Sequence, residues 1–161
     1  MTVLGKPRIH ALNSEHYLAL HHVARRFDKQ VAVKYFRRIV INGEMVHSSD
    51  YCKHLKRNSY TVQLSDDSFF RIESFIVADL DGNGENCYAI GHFFQTCASP
   101  LLRLSNIETV FLSHCVAVAK THGRLLAIKS ADIRRKCIYI SLSYYDVDFI
   151  CIQLNRHEYC T

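Results

Sequence analysis

The run Arg57-Asn-Ser-Tyr-Thr-Val-Gln-Leu64 constrains the fold more than any other stretch of the chain. Tyr60, Val62 and Leu64 alternate with Thr61, Gln63 and Ser65, a period of two that turns apolar side chains to one face of a pleated strand and polar ones to the other. It predicts a half-buried strand and sets the class as β-rich. The same period recurs along most of the chain. Val33, Tyr35, Ile39 and Ile41 alternate up to Asn42-Gly43, a dipeptide that supplies the positive backbone angles of a tight hairpin, and Met45-Val46 begins the return strand. Further strands are expected over Phe69 to Val77, Cys87 to Thr96, from Val110-Phe-Leu112, and over Arg124 to Ile128, Cys137 to Leu142 and Val147 to Leu154. The polar stretches Ser65 to Ser68, Asp79 to Glu85, Ser130 to Asp132 and Ser143 to Asp146 read as turns between them, and Ser99-Pro100 as a strand stop.

One segment breaks the pattern. In residues 14 to 28, Leu20, Val23, Ala24 and Phe27 fall at helical spacing behind a Ser14 cap with Glu15 in the first turn, and His21, His22, Arg25 and Arg26 lie on the other face. About eight short strands and one helix predict an all-β, partly open barrel, because curling a sheet towards closure hides its strand edges. A length of 161 residues corresponds to about one domain, here residues 1–161 with the helix at 14–28 and the barrel core at 31–154. No apolar run approaches the roughly 18 residues of a membrane span, so no membrane partner is expected. Seven cysteines are scattered singly, several of them inside apolar runs, which favours a reducing intracellular compartment.

Charge is uneven along the chain: residues 1 to 63 carry net +7, residues 64 to 108 net −5, and the remainder net +3. Lys53, Lys56 and Arg57, with Arg37, Arg38, Arg25 and Arg26, are candidates for one basic face, with Tyr35, Tyr51 and Tyr60 interleaved. Cations of this kind meet phosphates, and aromatic rings stack on unpaired bases. The plainer explanation is a solvated surface and aromatic residues filling the core.

Two resemblances extend this reading. The string Tyr35-Phe-Arg37, Asn42-Gly43, Ser48 to Tyr51 and Lys56-Arg-Asn-Ser-Tyr-Thr-Val62 resembles the β-rich accessory domain that follows the catalytic region in transposon-encoded proteins of animals. The order His92-Phe93-Phe94, Val110-Phe111-Leu112-Ser113, then Ile128 with Ile133-Arg134-Arg135-Lys136-Cys137-Ile138, is similar to the bromo-adjacent homology module of chromatin proteins, although Gln95-Thr96-Cys97 stands where that family has Arg-Pro-Glu. Together they imply a non-catalytic interaction module of a transposon-derived, nuclear protein that binds chromatin proteins or peptides. Tyr88, Phe93 and Phe94, with Phe69 and Phe70 nearby, are then candidates for a peptide groove or a cage around a methylated lysine. Direct nucleic-acid binding through Arg37, Arg38, Lys53, Lys56 and Arg57 is the competing expectation.

Reactive chemistry finds less support. Asp79-Leu-Asp81-Gly-Asn83-Gly84 opens like a calcium loop, but the twelfth position is Ile90 where a bidentate Glu belongs, so a hairpin turn is expected. Cys52 with His54, His114 with Cys115, and His157 with Cys160 lack paired Cys-x-x-Cys knuckles, so no zinc or other cofactor is expected. Cys115 beside His114, or Cys97 near His92, has no orienting acid, and neighbours along a strand face opposite ways. A zinc- or thiol-dependent enzyme remains the remote alternative.

Overall fold

The computed structural model describes residues 1–24, 27–51, 60–97, 114–120, 123–143 and 146–152. Among them run twelve strands and one α-helix: β1 (Thr2–Leu4), β2 (Arg8–Ala11), α1 (Ser14–Leu20), β3 (Ala32–Phe36), β4 (Arg38–Ile41), β5 (Glu44–His47), β6 (Thr61–Leu64), β7 (Phe69–Ala78), β8 (Asn86–Phe93), β9 (Cys115–Ala119), β10 (Leu126–Lys129), β11 (Ile133–Ile140) and β12 (Val147–Ile152). The fold is all-β with one N-terminal helix, and every strand pairing is antiparallel. The expected Ser99-Pro100 stop and Val110–Leu112 run lie outside the described residues.

Strands β1, β4 and β5 form a small sheet in that order. The large sheet runs β10-β8-β7-β6-β11-β12-β9, and β3, carrying β2, joins β7 from the side. The ten-residue β7 thus serves two partners along one edge: its first half pairs with β6 through Thr61↔Arg71 to Gln63↔Phe69, its second half with β3 through Lys34↔Val77 to Phe36↔Phe75. Its other edge is filled by β8. Past β8 the chain crosses to the free edge of β9, where Cys97 N–H donates to Ala117 C=O and Ala119 N–H to Gln95 C=O, each at 2.9 Å. The sheet therefore curls towards itself without a continuous closing ladder, giving the partly open barrel.

Asn42 and Gly43 take φ of 51° and 78°, the two positive angles of the expected hairpin between β4 and β5. The small sheet lays Ile39, Ile41 and Val46 on Val62, Leu64, Phe70, Ile72 and Phe75. The opposite face of the second half of β7 carries Ile76 and Ala78, which pack with Tyr88, Ile90, Leu20 and Ala24 under α1. A third cluster, Phe69, Phe94, Val118, Cys137 and Ile150, fills the end of the barrel near β9.

Three expectations need correction. Strand 61–64 is buried on both faces: Thr61 and Gln63 are as enclosed as Val62 and Leu64, because β6 lies between β7 and β11 in a sheet that is covered on both sides there. The helix is capped by Asn13, not Ser14, and the Asn13 Oδ1 accepts from His16 N–H at 2.7 Å. It ends at Leu20 rather than residue 28, yet Val23, Ala24 and Phe27 still pack on the sheet through an irregular turn, so the apolar face is present without the regular helix. Strands β1 and β2 precede it; β2 is exposed along its whole length, so the alternation of Arg8 and His10 with Ile9 and Ala11 marks no buried face.

The parity of β7 changes at Glu73. Ile72 pairs with Gly91 and Ser74 with Ile90, so Glu73 is one extra residue against β8, a β-bulge. Opposite it, a Cβ on Gly91 would lie 1.8 Å from Arg71 O, so only glycine fits. We expect Gly91→Ala to destabilise the fold by on the order of 3 kcal/mol or more. Urea denaturation of the purified variant measures this, and a loss within about 0.5 kcal/mol would show that the close approach is not required.

Candidate anion-binding cleft

The chain passes from the small sheet to the large one at β1–β2 and back again at β3–β4. Because β1 pairs with β4 and β2 with β3, these two passages lie side by side. Gly5, at φ 95°, makes the first, and a Cβ there would sit 3.8 Å from Arg38 Nη2. The side chains at these passages surround an open cleft of about 520 Å³. Lys6 and Arg8 line it from the first passage, Arg37 and Arg38 from the second, and His10 from β2 and His16 from α1 reach it with Tyr35, Tyr51 and Ser74. Among the described residues that line it, Asp50 is the one carboxylate. Among the described residues no ion pair involves Lys6, Arg8, Arg37 or Arg38; the pairs present are Lys34–Glu85, His92–Glu73 and Arg134–Asp67.

The rings of the cleft hold its charged groups in position. Arg38 Cζ lies 5.0 Å over the centroid of Tyr51, which stacks on His47 with centroids 4.9 Å apart and planes within 8°. His47 titrates below its ordinary 6.5, through burial first and then the neighbouring Arg38 and Lys136 charges. Tyr35 has His10 and His16 at ring distances of 6.1 and 5.6 Å. Its hydroxyl lies 3.0 Å from His16 Nδ1. Burial holds His16 below 6.5 against the opposing charges of Glu73, Glu15 and Asp50, and burial also raises the Tyr35 phenol. With His16 neutral, one hydrogen bond joins Nδ1 and the Tyr35 hydroxyl, with Nδ1 accepting in one tautomer and donating in the other. At the wall the Ser74 hydroxyl is buried without a hydrogen-bond partner.

Arg37, Arg38, Tyr35 and Tyr51 of the expected basic face are therefore brought together. Lys53, Lys56, Arg57, Arg25 and Arg26 lie outside the described residues, as do Cys52, His54, His157 and Cys160. Tyr60 stands apart, with Arg71 Cζ 5.3 Å over its ring. Sequence reasoning missed Lys6, Arg8, His10 and His16; the basic pair flanking Pro7 was its only mark, and no periodicity tied it to Arg37.

The aromatic cage is corrected outright. Tyr88 is fully buried under α1, Phe93 packs edge-on to Phe70 at 4.9 Å, and Phe94 is buried in the third cluster beside Tyr139. Tyr88 sits on the face of β8 opposite to that of Ala89 and Phe93, and Phe94 has already left the β7 pairing, so the three rings belong to three different cores. The Asp79–Gly84 segment forms a turn whose Gly82 and Gly84 take φ of 72° and 104°. His92 bridges Glu73 at 3.0 Å and Gly123 C=O at 2.7 Å, and Cys115 contacts Cys151. Among the described residues no three His, Cys, Asp or Glu gather into a metal-sized group, and no helix is long and apolar enough to cross a membrane.

No protein-family model, curated protein or solved structure matches this chain.

His16 supplies a direct probe of the cleft. Its depressed folded-state value means that the unfolded chain binds this proton first as pH falls, so the stability contribution is present above 6.5 and lost as pH drops through the folded value. In a proton NMR titration we expect the His16 ring to titrate below 6.5, and Asp50→Asn, which removes a charge that raises it, to move it lower still. A titration at or above 6.5 would mean the ring is solvated and the cleft wall is not closed around it.

Proposed function

We propose that this protein is a non-catalytic binding module that holds nucleic acid by its phosphate backbone in the basic cleft. One observation carries the reading: Lys6, Arg8, Arg37 and Arg38 converge on one cleft with no ion-pair partner among the described residues. Unneutralised cations gathered in a concavity raise the local concentration of polyanions, and each phosphate they engage releases counterions. The net +7 of residues 1 to 63 extends the same field. The Tyr51 ring already stacks on His47 and supports Arg38, so it positions a cation rather than offering a platform for a base. Contacts of this type position a strand without reading its sequence. The likeness of residues 35 to 62 to the accessory domain of transposon-encoded proteins supports a nucleic-acid setting. A peptide reading has lost its named site with the burial of Tyr88 and Phe94.

Fluorescence anisotropy with the full chain and a labelled single strand of about 20 nucleotides tests this. Four phosphate contacts give a slope of log K against log salt of about −2.8, and Arg37→Ala with Arg38→Ala should cut it by about 1.4. A bound phosphate favours the His16 imidazolium, so affinity should also rise as pH falls below 6.5. Salt-independent binding, an unchanged slope in the double variant, or equal affinity for an acidic peptide of matched charge would sink the proposal.

A further inference from the structure

Far from the cleft, at the last strand of the large sheet, Cys115 of β9 stands directly across from Cys151 of β12. Their sulfurs are 2.9 Å apart. The register makes this contact more than a coincidence of side chains. Ile152 N–H donates to His114 C=O at 2.9 Å, so the ladder bond lies one residue outside the Cys115↔Cys151 pair. That marks a non-hydrogen-bonded pair, the kind whose Cα atoms stand about 4.5 Å apart and whose side chains approach most closely. A separation of that size falls within the roughly 4.4–6.8 Å that a disulfide spans. Both thiols are partly exposed and lie on the face opposite to Val116, Ile150 and Ile152, beside the buried Ala117 and Phe149.

We propose that Cys115 and Cys151 form a cross-strand dithiol that a low-molecular-weight disulfide such as oxidised glutathione converts to an intramolecular disulfide. The chemistry proceeds in two exchanges. Cys115 as thiolate attacks one sulfur of the oxidant, forming a mixed disulfide; one glutathione leaves as thiolate and takes up the proton that Cys115 gave. Cys151 then loses its proton and attacks the Cys115 sulfur, and the second glutathione departs as a thiol. Two electrons pass from the protein pair to the oxidant, which ends as two thiols. Burial and the neighbouring Cys115 sulfur both push the Cys151 thiol upward; the same disulfide results if Cys151 attacks first and Cys115 closes the bond. The bond would staple β9, whose outer edge is held only by the short bridge to residues 95–97 among the described residues, onto β12, and close a loop between cysteines 36 positions apart.

The full chain, freed of reductant, is incubated in glutathione buffers of graded ratio, quenched in acid, alkylated, digested and mapped by mass spectrometry. The expected product is a cross-link between Cys115 and Cys151 that persists in Cys137→Ala, with a melting temperature roughly 5–10 °C above that of the reduced protein and returning on addition of dithiothreitol. Cys151→Ser should stop at a stable mixed disulfide on Cys115, while Cys115→Ser forms no cross-link. If either variant fails to fold, the position of the wild-type cross-link decides. Cross-links to other cysteines in equal yield, or a mixed disulfide on Cys115 that persists in the wild type, would overturn the assignment.

Discussion

The bulge at Glu73 is the constraint on which the rest of the molecule depends. A ten-residue strand with uninterrupted alternation would present Phe70, Ile72, Ser74 and Ile76 to one side and Phe75 and Val77 to the other. One inserted residue exchanges the faces midway. Phe75 then joins Phe70 and Ile72 beneath the small sheet, and Ile76 turns to the helix side with Tyr88 and Ile90. A single strand thereby serves two cores on opposite faces and takes β6 and β3 in succession along one edge. Gly91 makes this possible, since no other residue lets Arg71 O come so close.

The same bulge separates what was legible in the sequence from what was not. Asn42-Gly43 announced its hairpin because both residues accept positive φ, a local requirement that sequence reports directly. The stretch Phe69 to Val77 announced a strand, but its apolar residues are so dense that a change of parity at Glu73 leaves no trace in the pattern. Thr61 and Gln63 read as solvent-facing because they are polar, whereas the curl of the sheet encloses them. Asp148, near the start of β12, is buried with the Tyr139 and Ser141 hydroxyls both donating to its carboxylate, partners from the neighbouring β11 and the residue after it that no single segment can show. Tyr88 in β8 and Phe94 just past its end became core for the same kind of reason: the elements packed on each, not the local pattern, place them in different cores.

The cleft is likewise a product of topology. Residues 5–8 and 36–38 are about thirty positions apart, and each group looks like an ordinary solvated loop. They meet because both chain segments change sheets at the same place, β1 following β4 and β2 following β3. Arg37 and Arg38 were visible as candidates through their position after an aromatic strand; Lys6 and Arg8 gained significance only through that pairing. Ser74 reaches the same wall by the parity change in β7, which links the bulge to the site.

Gathering Lys6, Arg8, Arg37 and Arg38 around one cleft, with Asp50 the single carboxylate among the described lining residues, costs self-repulsion, and the structure moderates it in two ways. The Tyr51 ring places its negative face against Arg38. Burial keeps His16 neutral, so the imidazole adds no fifth charge while the cleft is empty. An arriving phosphate reverses the second balance: its charge favours the imidazolium, in which both ring nitrogens donate, and the Tyr35 hydroxyl, accepting from Nδ1, directs its own proton to another acceptor. The cleft is thus poised between a state in which tyrosine and histidine satisfy each other and one in which both turn their protons towards an anion. The residual repulsion among Lys6, Arg8, Arg37 and Arg38 favours the second wherever an anion is present.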